Sequence, residues 1–338
     1  MKEIRKILII RNDHIGDFVL STAVFRELRK KYPKSKIVLI TSKINIPLIE
    51  KNDNINEIWE LEIPQYNLST ILKYIKTSLK IRKEKFDVGI DLRGSILNTI
   101  FLLWLSGIKN RISRTDAHPI ISIFLTNPIS LNKKDHIIKQ NAQIIEKGLN
   151  INFENWNPEI KIDKEDIFSV NNFIKKNKLK KYICIYPIVN LKYKQWSLNN
   201  FERLIKWLRK YNLKILLFGT KKDEKMINHL KKYNKNCLSI INFNLRQMPL
   251  LFKKSSLVIA QDGGPMHIAG ASNSRLIALI PNFSDITYKI DPLGKNTVII
   301  RDSDRIKVFT KRNVKKDSLN KISFEKVKWA IEKILDKD

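Results

Sequence analysis

The chain has 338 residues, more than one compact domain ordinarily holds, and an apolar fraction of 43% supplies material for two cores. Its 64 basic and 33 acidic residues give a formal charge of +31, which points either to an anionic neighbour or to lysine-rich composition without a specific role. Two cysteines exclude a disulfide framework, five scattered histidines lack the spacing of a metal site, and no basic-aromatic nucleic-acid motif accompanies the charge, so no nucleic-acid partner is expected.

From the N-terminus, 6–10 reads as a buried strand, Arg11 to Asp17 as a short polar loop and 18–32 as an amphipathic helix. Asp17 stands at the helix mouth, where a carboxylate either caps the helix or does chemistry. The loop has one glycine where a dinucleotide fingerprint needs three, which argues against a nicotinamide or flavin site. Strands follow at 36–40 and 87–91, with helices at 68–83, 95–106 and 135–149. Within the first of these, Ile71, Leu72, Ile75, Leu79 and Ile81 interleave with Lys73, Lys76, Lys80, Arg82, Lys83 and Lys85. Such a basic amphipathic helix either rests on anionic headgroups or packs on a core with its lysines in water.

An Asn- and Pro-containing stretch at 150–158 reads as a linker. The second half opens with a helical stretch from Lys164, then offers strands at 182–186, 213–218, 256–260 and 276–280 and a last helix at 323–336. Strands alternating with helices in both halves predict an α/β protein with parallel sheets, whose ligands bind beyond the carboxyl ends of the strands. The expected division is 1–157, 158–322, and a C-terminal helix, 323–338, that packs back on the first domain. No run approaches the ~20 apolar residues that cross a bilayer, and no signal peptide is visible, so a cytoplasmic location is expected.

The most informative segment is Ala260 to Gly270, AQDGGPMHIAG. An apolar strand leads into Asp262, Gly263 and Gly264, and Pro265 fits the first turn of a helix. Glycines let a diphosphate approach the backbone amides, the helix dipole favours its charge, and His267 lies within reach. Asp302-Ser303-Asp304 matches a divalent-ion signature superficially but reads as a surface turn, and no acyl-transfer or phosphate-loop signature occurs. Among the tryptophans only Trp196, close to Lys194, merits a functional reading.

Together, Ile15-Gly16-Asp17 and Asp262-Gly263-Gly264-Pro265-Met266-His267 resemble the motifs of glycosyltransferase family 9, the ADP-heptose:lipopolysaccharide heptosyltransferases. Asp87 to Ser95, Gly107 to Ser113 and Lys194-Gln195-Trp196-Ser197 resemble further family segments in the same order, so the likeness spans nearly the whole chain. The resemblance implies a GT-B fold of two Rossmann-like domains with a cleft between them. It implies an inverting, metal-independent transfer of a heptose or related sugar from a nucleoside diphosphate, ADP favoured, to a lipopolysaccharide or lipooligosaccharide core. No cofactor beyond the donor is expected, and the lipid-linked anionic acceptor suggests peripheral contact with the inner face of the inner membrane.

By this resemblance Asp17 is the general base, and Lys194 binds the donor phosphates with the amides at Gly263 and Gly264 and with His267. Asp262 is placed at the donor site, as a hydroxyl ligand or a helix cap. Asn190 lies in a turn that carries donor contacts in the family, and Asp223 or Glu224 supplies an acidic donor contact, with the choice open. Arg11 and Arg93, on loops, are expected to bind acceptor phosphates or acidic sugars. The chain departs from the family at Gly263, where Thr or Ser is usual, at Ser113 in place of a glycine, and at Pro187 to Asn190, where a Gly- and Ser-rich turn is common. Two alternatives remain: a related enzyme with another donor acting on capsule or another glycan, and a non-catalytic module for anionic glycolipid or RNA.

Overall fold

The computed structural model describes residues 3–116, 118–281, 289–301 and 318–336. The chain folds as two units, Met1–Glu159 and Ile160–Asp338.

The first unit contains β1 (Lys6–Arg11), α1 (Ile15–Val19), α2 (Thr22–Lys31), β2 (Lys36–Thr41), α3 (Ile46–Ile49), β3 (Glu57–Glu60), α4 (Leu68–Glu84), β4 (Val88–Asp91), β5 (Asn110–Arg114), β6 (Asn127–Ile129) and α5 (Ile137–Leu149). A π-helix, Asn98–Trp104, follows β4, and a 3-10 helix, Pro119–Phe124, follows β5. The six parallel strands are ordered β3-β2-β1-β4-β5-β6. Central β1 is apolar from Ile7 to Ile10, all fully buried, as a parallel strand covered on both faces requires. Gly89 lets the π-helix lie close to β4, since a Cβ there would stand 2.6 Å from Leu103 and 2.8 Å from Ile108.

The second unit contains α6 (Lys164–Lys176), β7 (Tyr182–Tyr186), α7 (Leu198–Trp207), β8 (Lys214–Gly219), α8 (Glu224–Lys231), β9 (Cys237–Ile241), α9 (Met248–Lys253), β10 (Leu257–Gln261), α10 (Gly264–Ala271), β11 (Leu276–Ile280), β12 (Thr297–Arg301) and α11 (Phe324–Leu335). Its parallel strands run β12-β11-β10-β7-β8-β9. Counted from each unit's first strand, both sheets have the order 3-2-1-4-5-6, so the chain reverses direction across β1/β4 in one and β7/β10 in the other. Those reversals leave crevices beyond the strands' carboxyl ends, where open α/β sheets bind ligands. Helix α11 buries Phe324, Val327, Ala330 and Ile331 in the second unit's core, so it is an integral layer of that unit.

Several expectations change in detail. The single helix expected over 18–32 starts at Ile15 and breaks at Leu20-Ser21. There the Ser21 and Thr22 hydroxyls donate back to the Phe18 and Val19 carbonyls, at 2.7 and 2.8 Å, and Asn141 donates to the Leu20 carbonyl at 3.1 Å. Cys237 lies buried at the start of β9. Asp302 and Asp304 lie outside the described residues.

Candidate functional site

The first cluster is built where β1 and β4 end. Asp91 closes β4 fully buried, accepting the backbone N–H groups of Arg93, Gly94 and Ser95, each at 3.1 Å, and the Asn98 side chain. Burial raises its carboxyl above the usual aspartate range despite these hydrogen bonds. Asn98 also donates to Asn12 Oδ1 at 3.0 Å, and Asn12 Nδ2 donates to Tyr74 Oη at 2.6 Å. The loop after β1 is thereby fastened to the π-helix and to α4. Ser42 and Asn45 donate to the Asp13 carbonyl from the other side, at 3.0 and 2.8 Å.

This frame fixes the start of α1. His14 is the N-cap residue and Asp17 stands in the first helical turn, so Asp17 does not cap the helix. An anion in the first turn is favoured by the helix dipole. Its carboxylate is 39% exposed and lies 3.8 Å from the Arg11 guanidinium, which also donates to the Asp17 carbonyl at 3.0 Å and the Leu92 carbonyl at 2.9 Å. Arg11 is buried, with its nitrogens turned into the protein. That placement makes it a brace for Asp17 and departs from the expected acceptor contact at an exposed loop.

Arg93 is more open and donates to the Asn12 carbonyl at 3.0 Å while meeting the Asp13 carboxylate at 3.2 Å. Burial alone would raise the Asp13 carboxyl, but the Arg11 and Arg93 guanidiniums and the His14 N–H hold it below its ordinary value.

The second cluster lies where β7 and β10 end. Gly263 is the N-cap of α10, with extended backbone and no side-chain cap hydrogen bond; Gly264 and Pro265 begin the helix, and His267 follows, buried. The first-turn amides therefore point beyond the end of β10 without a capping side chain, a ready anion seat. Asp262 does not cap the helix. Its buried carboxylate meets Lys194 Nζ at 2.7 Å, and the Lys194 side chain keeps 20% exposure. The cation expected at the phosphates is thus held by the aspartate whose role the sequence left open.

Gln195 organises the surroundings. It donates to the Pro187 carbonyl at 2.8 Å and accepts from the Val189 N–H at 3.1 Å, tying the turn that carries exposed Asn190 to the Lys194 segment. Gln261, the last residue of β10, accepts the Trp196 backbone N–H and the Gln195 side chain. Trp196 itself is completely buried, edge-on to Phe201 at 5.0 Å and donating to the Ile322 carbonyl at 2.8 Å, so it is core and cannot stack on a sugar. Two glutamines flanking motif residues were the unread signals here.

Beyond β8, Asp223 accepts the Thr220 N–H and hydroxyl, at 2.8 and 2.6 Å, closing a capping box. Glu224 begins α8, its carboxylate 2.6 Å from exposed Lys221. Among the described residues no group of three or more His, Cys, Asp and Glu is arranged to hold a metal ion, and no helix is long and apolar enough to cross a membrane.

The model of glycosyltransferase family 9 (heptosyltransferase) matches residues 75–321. The chain belongs to glycosyltransferase family 9. Its relatives include lipooligosaccharide heptosyltransferase 2 of Haemophilus influenzae, 23% identical over 332 residues that cover 89% of this chain and 90% of that protein. Lipopolysaccharide heptosyltransferase 2 of Escherichia coli is 23% identical over 315 residues, covering 88% of each. Among solved structures, a family 9 glycosyltransferase from Veillonella parvula aligns with a TM-score of 0.84 at 20% identity, covering 99% of this chain and 98% of that one. Escherichia coli heptosyltransferase WaaC with ADP-2-deoxy-2-fluoro heptose aligns with a TM-score of 0.74 at 15% identity, covering 97% and 99%.

This family 9 enzyme is a glycosyltransferase with the GT-B fold of two Rossmann-like domains. Where family 9 motifs usually place a hydroxyl after the aspartate, Gly263 has φ −178° and room for a Cβ, whose nearest contacts would be 3.8 Å away. Neither backbone conformation nor crowding demands glycine there.

Proposed function

We propose that this family 9 enzyme transfers a heptose from an ADP-linked donor to a lipopolysaccharide or lipooligosaccharide core acceptor, inverting the anomeric centre and using no metal ion. The observation that carries the reading is the ion pair of Lys194 with Asp262 beside the uncapped first turn of α10. A diphosphate seated there meets the Lys194 ammonium, the amides near Gly263 and Gly264, and His267. These groups stabilise the charge that develops on the leaving nucleoside diphosphate, as preorganised donors do in charge-separating transition states. Asp262 holds the ammonium in place and shares it with the donor.

Asp223 spends its carboxylate on a local cap, which favours Glu224, with Asn190, as the contact to donor hydroxyls. Asp17 removes the proton from the acceptor hydroxyl as its oxygen attacks the anomeric carbon, braced by Arg11; a positioned base contributes ~10²–10⁴-fold. Arg93 meets acidic or phosphorylated groups of the acceptor. An ADP-linked sugar and a core acceptor also accord with relatives named as lipopolysaccharide heptosyltransferases and with a neighbour solved with an ADP-heptose analogue. The inner face of the inner membrane is where such an acceptor would be met.

Calorimetry with ADP, UDP and GDP, followed by turnover of the matching heptose donors with and without chelator, tests the reading. The expected result is preferential ADP binding and chelator-insensitive release of ADP with an inverted product. Equal affinity for the three nucleotides would remove the ADP assignment, and loss of turnover on chelation would remove metal independence.

A further inference from the structure

Helix α4 carries a face that its own fold does not use. Thr70, Tyr74, Ser78 and Ile81 are buried against the first unit. Leu68, Leu72, Ile75 and Leu79 follow one another at steps of four, three and four, which aligns them along one stripe, and they are 72, 57, 40 and 55% exposed. An outward helical face in water ordinarily holds polar residues at such positions.

The charged residues interleaved with the stripe along the helix are all basic. Lys73, Lys76, Lys80 and Lys83 interleave with it, whereas the helix's one acid, Glu84, pairs with Lys6 at 3.0 Å. Lys73 meets Glu62 and Lys80 lies over the Trp59 ring, while Lys76 and Lys83 extend exposed. The elements packed next to α4 continue the apolar character. The π-helix packs on it through Phe101 against Tyr74 and exposes Trp104 and Leu105; the 3-10 helix packs on Trp104 through Phe124 and exposes Ile120 and Ile123.

We infer that this face of α4 docks on an anionic lipid bilayer. The leucines and Ile75 enter the boundary between headgroups and acyl chains, and the lysines lie against lipid phosphates. The composition is that of an interfacial helix, with apolar insertion and electrostatic attraction acting together. Docking there has a consequence for catalysis, because Tyr74 of the same helix accepts the Asn12 hydrogen bond that anchors the Asp17 loop. The candidate base is then held one helix away from the layer in which a lipid-linked acceptor lies. That consequence rests on the proposed acceptor; the docking itself does not.

The test is co-sedimentation of the full chain with phosphatidylcholine vesicles containing or lacking phosphatidylglycerol, without donor or acceptor, so that its failure is separate from failure of the enzymatic reading. Binding is expected to the anionic vesicles. Lys76→Gln with Lys83→Gln should weaken it about fivefold per charge, and raised salt should act in the same direction. Leu72→Ser with Leu79→Ser should abolish the binding that survives high salt, with unchanged melting temperature and ADP affinity because both side chains are exposed. Absence of binding to anionic vesicles, or binding indifferent to both double variants, overturns the proposal. So does sedimentation velocity showing a dimer that the leucine variant dissolves, since a second copy would then cover the stripe.

Discussion

Removing the Lys194 ammonium should have two separable effects, because the structure ties it to a carboxylate that is only 3% exposed. In the unliganded protein, Lys194→Ala leaves Asp262 buried without its cation. Losing one partner of a buried pair costs about 3–5 kcal/mol, and the lysine's residual 20% exposure places this pair near the lower end. With donor, the variant also loses a charged hydrogen bond of about 1.5–3 kcal/mol, or roughly ten- to hundredfold in Kd. Asp262→Asn keeps an acceptor for the ammonium and should alter both quantities less. The double variant, Lys194→Ala with Asp262→Asn, should regain most of the lost stability while donor binding stays weak. Thermal melting and ADP calorimetry on the four proteins read the two effects independently. A Lys194→Ala protein that melts and binds ADP like wild type would refute the reasoning. A double variant no more stable than Lys194→Ala would show that the unpaired buried charge of Asp262 was not the cause.

Gly263→Ser should fit without strain, since the backbone is extended and the nearest contacts to a Cβ are 3.8 Å away; its hydroxyl should tighten ADP binding by about 0.5–1.5 kcal/mol, roughly two- to tenfold. Weaker calorimetric binding would show that the amides of α10 do not seat the diphosphate. Asp13 titrates below the ordinary 3.8, so its ionised form contributes stability that is complete above that value and is lost as pH falls through the lowered one. Arg93→Gln should therefore destabilise the first unit by about 1.5–3 kcal/mol near neutral pH and move acid unfolding to higher pH, followed by circular dichroism; an unchanged acid midpoint would remove Asp13 as the anchor of this loop.

The core strands were legible because parallel, doubly covered strands read as unbroken apolar runs, as in Ile7 to Ile10 and Leu276 to Ile280. The outer strands were not. β3 is Glu-Ile-Trp-Glu, β5 begins with Asn and Arg, and β6 is three residues long with a central proline. Such edge and near-edge segments are specified by pairing with a neighbour already in place, and carry little periodicity of their own. At the site, the glycine and histidine motif located the α10 mouth correctly. What sequence could not supply was the inward turn of Arg11, the burial of Trp196 and the meeting of Lys194 with Asp262, all set by contacts across tens of residues.

The most direct measurement of the account is the single-turnover rate of Asp17→Asn, with ADP-heptose and a core acceptor, beside its ADP affinity. Replacing the carboxylate by an amide keeps the shape at the start of α1 and removes the base. The account predicts a rate at least ~10²-fold below wild type with ADP binding unchanged. A folded Asp17→Asn enzyme that turns over at the wild-type rate would contradict it.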